Sequence, residues 1–249
     1  MIKVGTKKYS NIKAILLDKD GTLIDIKALH IPLMERRAKV IADLAKNISH
    51  NEILQYWGID LNKDFIDIRG PFMAASKDEE KIIAATALYR NGMDWREAFL
   101  LVHRAYEIDE STKNSSDWNK PTKHVIDFVN EAYKRNYLLG IATGDTTLRA
   151  TEACRVLNIH NKMTEILGVD QVINDKPSSD LVVEFCQRTK LQPQEVMTIG
   201  DNIKDALMAK NAGVGLSIAI LSGVTSREEF GNLPNHIISS FEEIQFADQ

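Results

Sequence analysis

Two carboxylates one residue apart, Asp18 and Asp20, follow the apolar run Ala14-Ile15-Leu16-Leu17 and precede Gly21-Thr22-Leu23. A short apolar run that stops abruptly at acids and a glycine reads as a buried parallel strand entering a loop, with the acids at the strand's carboxyl end. Alternate residues of an extended chain project alike while the loop changes their surroundings. The two acids can therefore take different jobs, one attacking an electrophile and the other carrying protons. A carboxylate that attacks a phosphate monoester meets a dianion, so it needs a cation and directed hydrogen-bond donors beside it.

Other segments offer those parts. Thr143-Gly144-Asp145 supplies a hydroxyl and a backbone amide with no side chain in front of it, a pair suited to phosphate oxygens at a strand-to-helix turn. Lys176, just before Pro177, supplies positive charge. Asp201, with Asp205 one helical turn later, adds carboxylate oxygens of the kind Mg2+ prefers. Taken singly these signals are weak. Asp-Gly-Thr, Thr-Gly-Asp and Lys-Pro are common turn sequences, and Asp201 and Asp205 read equally well as caps of the helix that follows. Their order and strand context join them.

The elements that must position these residues are readable too. Residues 137–142 and 196–199 repeat the pattern of an apolar strand running into a polar loop, before Thr143-Gly144-Asp145 and Gly200-Asp201-Asn202 respectively. Helical periodicity covers 123–134, 147–157, 179–189 and 203–211, the last with Gly213 as its stop signal. Strands alternating with helices predict an α/β fold, a Rossmann-like parallel sheet with helices on both faces. Ligands of such sheets bind outside the carboxyl ends of the strands, where all three polar loops fall. Residues 26–118 differ, reading as successive helices over 31–46, 79–90 and 95–107 without a convincing apolar strand. The predicted organisation is a catalytic core of 1–25 and 119–249 with an inserted α-helical domain over 26–118. The insert leaves through 109–121, whose Ser, Thr, Asn, Asp and Lys residues read as a linker.

Composition bounds the rest. The 249 residues are 44% hydrophobic and 27% charged with a formal charge of −4, an ordinary balance with no global attraction to nucleic acid or an anionic membrane. Cys154 and Cys186 stand far apart, without metal or redox spacing, and read as packing residues in a reducing compartment. With no apolar signal-peptide core behind Lys3, Lys7 and Lys8, the expectation is a cytoplasmic protein, monomer or homodimer, with a small phosphorylated metabolite as its partner.

The four segments DKDGTL, ATGD, KP and GDNIKDALMAKNAG, in that order, resemble the haloacid dehalogenase (HAD) superfamily across nearly the whole predicted core. The resemblance implies that Asp18 is a nucleophile that becomes an aspartyl-phosphate, and that Asp20 protonates the leaving alcohol and then activates water. It implies Mg2+ held by the Asp18 carboxylate, the Asp20 backbone carbonyl and Asp201, with Asp205 in the outer shell, and a phosphoryl group held by Thr143, Gly144 and Lys176. An insert directly after the first motif is similar to the branch containing phosphoglycolate phosphatases, sugar-phosphate phosphatases, phosphonate hydrolases and hexose phosphomutases. There the insert is a cap that selects the substrate. Arg69, in the break Arg69-Gly70-Pro71, is the candidate specificity residue, although a surface turn explains it as well. The expected activity is that of a phosphoric monoester hydrolase, with phosphoglycolate as the specific candidate. A sugar phosphomutase or phosphonate hydrolase is the alternative, and a phosphate-binding regulator with idle catalytic residues the contrasting class.

Overall fold

A computed structural model of the chain describes residues 1–63, 65–67, 70–111, 119–223 and 225–247. The chain opens with the antiparallel hairpin of β1 (Ile2–Val4) and β2 (Lys7–Tyr9) and then enters β3 (Ala14–Leu17), buried along its whole length. There follow α1 (Ile26–Ala45), α2 (His50–Tyr56), β4 (Ile59–Asp60), β5 (Phe65–Ile66), α3 (Pro71–Ala74), α4 (Lys77–Arg90) and α5 (Trp95–Ser111). The remainder alternates: α6 (Val125–Lys134), β6 (Leu138–Ala142), α7 (Thr147–Val156), β7 (Glu165–Leu167), α8 (Asp180–Thr189), β8 (Val196–Gly200), α9 (Ile203–Ala212), β9 (Leu216–Ile220), α10 (Arg227–Phe230), β10 (His236–Ile238) and β11 (Ile244–Phe246). Two compact units result, Met1–Ile26 with Asn119–Gln249, and Lys27–Trp118.

The first unit is built on a six-stranded sheet of order β10-β9-β8-β3-β6-β7, every neighbouring pair parallel. Leu17 stands opposite Ile141 of β6 on one side and Ile199 of β8 on the other, so the loops leaving these three strands open side by side. The order of strands reverses at β3, and the crevice at such a switch point is where sheets of this kind bind ligands. Helices flank the sheet. Leu181, Val182 and Phe185 of α8 are buried in one cluster with Leu16, Ala142, Val196 and Met208. Gly140 permits that close approach, since a Cβ there would lie 2.4 Å from the Phe185 ring. Cys154 and Cys186 are both free and buried. A separate antiparallel sheet of order β11-β1-β2 pairs Ile2 with Phe246.

The second unit has its own core. Met34, Ala38 and Ile41 of α1, Ala84, Ala85, Ala87 and Leu88 of α4, and Ala98, Val102, Ala105 and Tyr106 of α5 are buried together at helical spacing, around Trp57. The insert is not helical throughout. Its β4 and β5 pair antiparallel over two residues each, too short to show an alternating apolar pattern. Nor does a linker begin at Asp109, because α5 runs on to Ser111 and carries Asp109 into the interior. There the carboxylate receives Arg36 and, at 3.3 Å, the Nε of Arg37, whose Nη1 donates to Glu80 Oε2 at 2.8 Å. A buried charge of this kind is stable only with partners, and two adjacent arginines on α1 supply them. In the first unit α6 starts at Val125 rather than 123, because His124 takes a left-handed conformation. Gly213 closes α9 in the same conformation. No helix among the described residues is long and apolar enough to cross a membrane.

Candidate active site

The site grows from three adjoining strand ends. Asp18 follows β3 directly, and its amide donates to the Ile199 carbonyl at 2.9 Å, which extends the pairing with β8 one residue past the strand. Asp201 follows β8, and Asp205 lies in the first turn of α9. Oxygens of the three carboxylates come within 4.8 Å of one another. Lys176 reaches into the cluster, its Nζ donating to Oδ1 of Asp18 and Oδ1 of Asp205, each at 2.6 Å. The other oxygen of Asp205 accepts from the Asn202 amide at 3.0 Å in the capping box that starts α9. Asp205 therefore belongs both to the capping box of α9 and to the acidic cluster.

Asp201 is held from behind. Thr22, fully buried, donates to its Oδ1 at 3.2 Å, and Gly21 turns with φ +85° so closely past it that a Cβ would lie 2.4 Å from the carboxylate carbon. The Gly21 carbonyl in turn accepts from the Ser222 hydroxyl at 2.6 Å. A glycine suits this place on both counts, its left-handed backbone and its missing side chain.

Charge in the cluster is unbalanced. Burial pushes the Asp18 carboxyl up to about 7, Lys176 opposing the rise and Asp205 adding to it. Burial would draw the Lys176 ammonium down, but Asp18 and Asp205 outweigh it and hold the lysine cationic well above its usual range. Two of the three carboxylates thus share one ammonium while the third lies beside them, and hard oxygen donors clustered in this way fit a divalent cation such as Mg2+.

Asp20 lies beside this cluster with a different partner. The loop after β3 turns back on itself, the amides of Leu23 and Ile24 both donating to the Lys19 carbonyl, and this lets consecutive side chains meet. Lys19 Nζ donates to Asp20 Oδ1 at 2.6 Å and lies 3.2 Å from Asp145 Oδ2. Burial works against the Lys19 charge, but the two carboxylates more than offset it and raise its pKa. Beyond β6, Thr143 is buried, its hydroxyl accepting from the Asp145 amide at 3.1 Å, and Gly144 is exposed at the loop's tip.

Of the residues read from sequence, Asp18, Asp201, Asp205 and Lys176 meet in one cluster, and Asp20 flanks it on Lys19. Thr143 and Gly144 occupy the loop that β6 delivers next to β3. Arg69 lies outside the described residues. Lys19, Thr22 and Asp145 received no role from the sequence, although the first two stand inside the acidic segment itself. The available signal was chemical, since a lysine between two acids at the end of a fully buried strand must find carboxylate partners if it is buried too.

The model of the haloacid dehalogenase-like hydrolases matches residues 15–219, a stretch that runs from within β3 through the insert to β9. The chain belongs to that family. Among curated relatives, pyrophosphatase PpaX of Oceanobacillus iheyensis is 25% identical over 234 residues, covering 94% of this chain and 95% of that one. Phosphoglycolate phosphatase of Escherichia coli K12 is 30% identical over 97 residues, 38% of each chain. A crystal structure called a predicted phosphoglycolate phosphatase, from Haemophilus somnus, superposes with a TM-score of 0.65 at 17% identity over 94% of this chain and 96% of that one, a likeness of fold.

Proposed function

We propose that this member of the family is a Mg2+-dependent phosphatase of small phosphorylated metabolites that works through an aspartyl-phosphate. The observation that carries the reading is the position of Asp18. It sits at the switch point of the sheet, bound by Lys176 and with an oxygen within 4.8 Å of oxygens of Asp201 and Asp205. An oxygen of Asp18 attacks phosphorus, the ester P–O bond breaks, and Asp20 gives its proton to the departing oxygen. Asp20, now a carboxylate, takes a proton from water as the water oxygen attacks the same phosphorus. The bond to Asp18 breaks, and free phosphate leaves. Lys176, the Thr143 hydroxyl and the Gly144 amide offset the phosphoryl charge. Mg2+ on Asp18, Asp201 and the Asp20 carbonyl, with Asp205 outside, would supply the remaining positive charge.

Both relatives' names support hydrolysis of a small phosphorylated anion, and the family resemblance gives the choice among such anions to the insert. The test is phosphate release with Mg2+ from a panel containing pyrophosphate, phosphoglycolate, hexose phosphates, nucleotides and a phosphonate. Product analysis separates phosphate release from sugar isomerisation and from cleavage of a carbon–phosphorus bond. Asp18→Asn should cut turnover by about a thousandfold or more. Full Mg2+-dependent turnover in that variant would refute the mechanism.

A further inference from the structure

We infer that Lys19 is a positioning residue that ties the proton-carrying Asp20 to Asp145 on the neighbouring loop. The inference rests on the role given to Asp20 above and adds to it the device that keeps this carboxylate in place. Asp20 sits on a loop with its side chain one-third exposed, at 33%, and nothing in a solvated carboxylate fixes its direction. Lys19 differs, with 6% of its side chain exposed, so its ammonium has no water to retreat to and must stay on its two carboxylates. Asp145 is a firm anchor. Its Oδ1 accepts from the Thr146 amide at 2.7 Å, just ahead of α7, which leaves Oδ2 for Lys19 at 3.2 Å. The tether runs from the end of β6 through Lys19 to the loop after β3. It explains why the Asp20 carboxylate turns to Lys19 while those of Asp18 and Asp205 meet at Lys176.

The experiment compares kcat/KM for phenyl phosphate and 4-nitrophenyl phosphate in the full chain with Mg2+. Phenolate needs a proton in order to leave, whereas 4-nitrophenolate leaves without one, and kcat/KM covers steps only as far as that departure. General-acid catalysis by a positioned group contributes a factor of about 10²–10⁴, so Lys19→Met should lower the phenyl-to-nitrophenyl ratio by at least about tenfold. Asp145→Asn, which loosens the other end, should lower it in the same direction by less. Asp145→Asn also carries the test if Lys19→Met fails to fold by circular dichroism. A merely structural role predicts equal losses on both esters, and an unchanged ratio in the folded variants overturns the inference. If Asp20→Asn lowers the ratio while both Lys19→Met and Asp145→Asn leave it alone, Lys19 is wrong and the role of Asp20 stands. If Asp20→Asn leaves the ratio alone, both fall together.

Discussion

Mg2+ binding should compete with a proton on Asp18. In the metal-free protein burial holds this carboxyl at about 7, against an ordinary 3.8. The folded state then binds more protons than the unfolded chain between those values, so stability falls as pH rises from about 4 to about 7, the reverse of the usual carboxylate case. Mg2+ takes the ionised form alone, so it restores the stability lost at high pH and does little at low pH. At pH 5 the protonated form of a group titrating near 7 outweighs the ionised form by about a hundredfold. Apparent Mg2+ affinity should therefore be weaker by about the same factor at pH 5 than at pH 8, or about 2.7 kcal/mol. Calorimetric titration of the metal-free protein at pH 5, 6, 7 and 8 reads this directly, with melting temperatures at fixed Mg2+ as a second probe. A change in affinity of less than about threefold across that range would refute either the burial argument or the place of Asp18 among the ligands.

Gly21→Ala should weaken Mg2+ binding by about tenfold while leaving far-ultraviolet circular dichroism intact, because the new Cβ would lie 2.4 Å from the carboxylate carbon of Asp201 in a left-handed backbone that itself costs about 1 kcal/mol. Unchanged Mg2+ affinity would show that Asp201 is no ligand. Asp109→Ala should cost about 3 kcal/mol in denaturant unfolding, since it removes a buried partner of Arg36 and Arg37, and a loss under about 1 kcal/mol would show that water or Glu80 replaces it. Gly140→Val should cost about 2 kcal/mol by forcing Phe185 of α8 off the sheet, with a melting temperature unchanged from wild type as the contrary result.

The strands that carry the chemistry were legible because burial on both faces leaves a mostly apolar run, broken only by the buried Thr198 in β8, and each run stops at the polar residues it delivers. Ala14–Leu17, Leu138–Ala142 and Val196–Gly200 are of this kind. The edge strands β7, β10 and β11, each three residues long, lack that contrast, and the hairpin of β1 and β2 is marked by little more than its turn at Gly5. In the insert, periodicity located α1, α4 and α5, but composition misplaced the end of α5, because a polar residue counts as linker until its partners are known. Asp109 is buried on account of arginines more than seventy residues away in sequence, and no local window contains that information. The candidate site followed the same division. The acids and Lys176 were readable from type and order, while Lys19 and Thr22 acquire their meaning from Asp145 and Asp201, which only the folded sheet brings to them.

Charge explains why the site needs two lysines, and why two do not suffice. Lys19 serves Asp20 and Asp145, and Arg149 reaches Asp145 at 3.5 Å, so two cations face two carboxylates and that half is neutral. Lys176 serves both Asp18 and Asp205, with an oxygen of Asp201 beside them, so among the described residues carboxylates outnumber the ammonium in that cluster, even with Asp18 protonated part of the time near pH 7. Lys19 cannot be lent across, since it is buried on its own pair. The excess of carboxylate therefore lies around the proposed nucleophile, where a divalent cation would offset it. A phosphate dianion arriving there would deepen the imbalance, which gives the cation a function in binding as well as in attack. Asp20, paired with Lys19 on the other side, stands apart from that excess, as the proton-carrying role proposed for it requires.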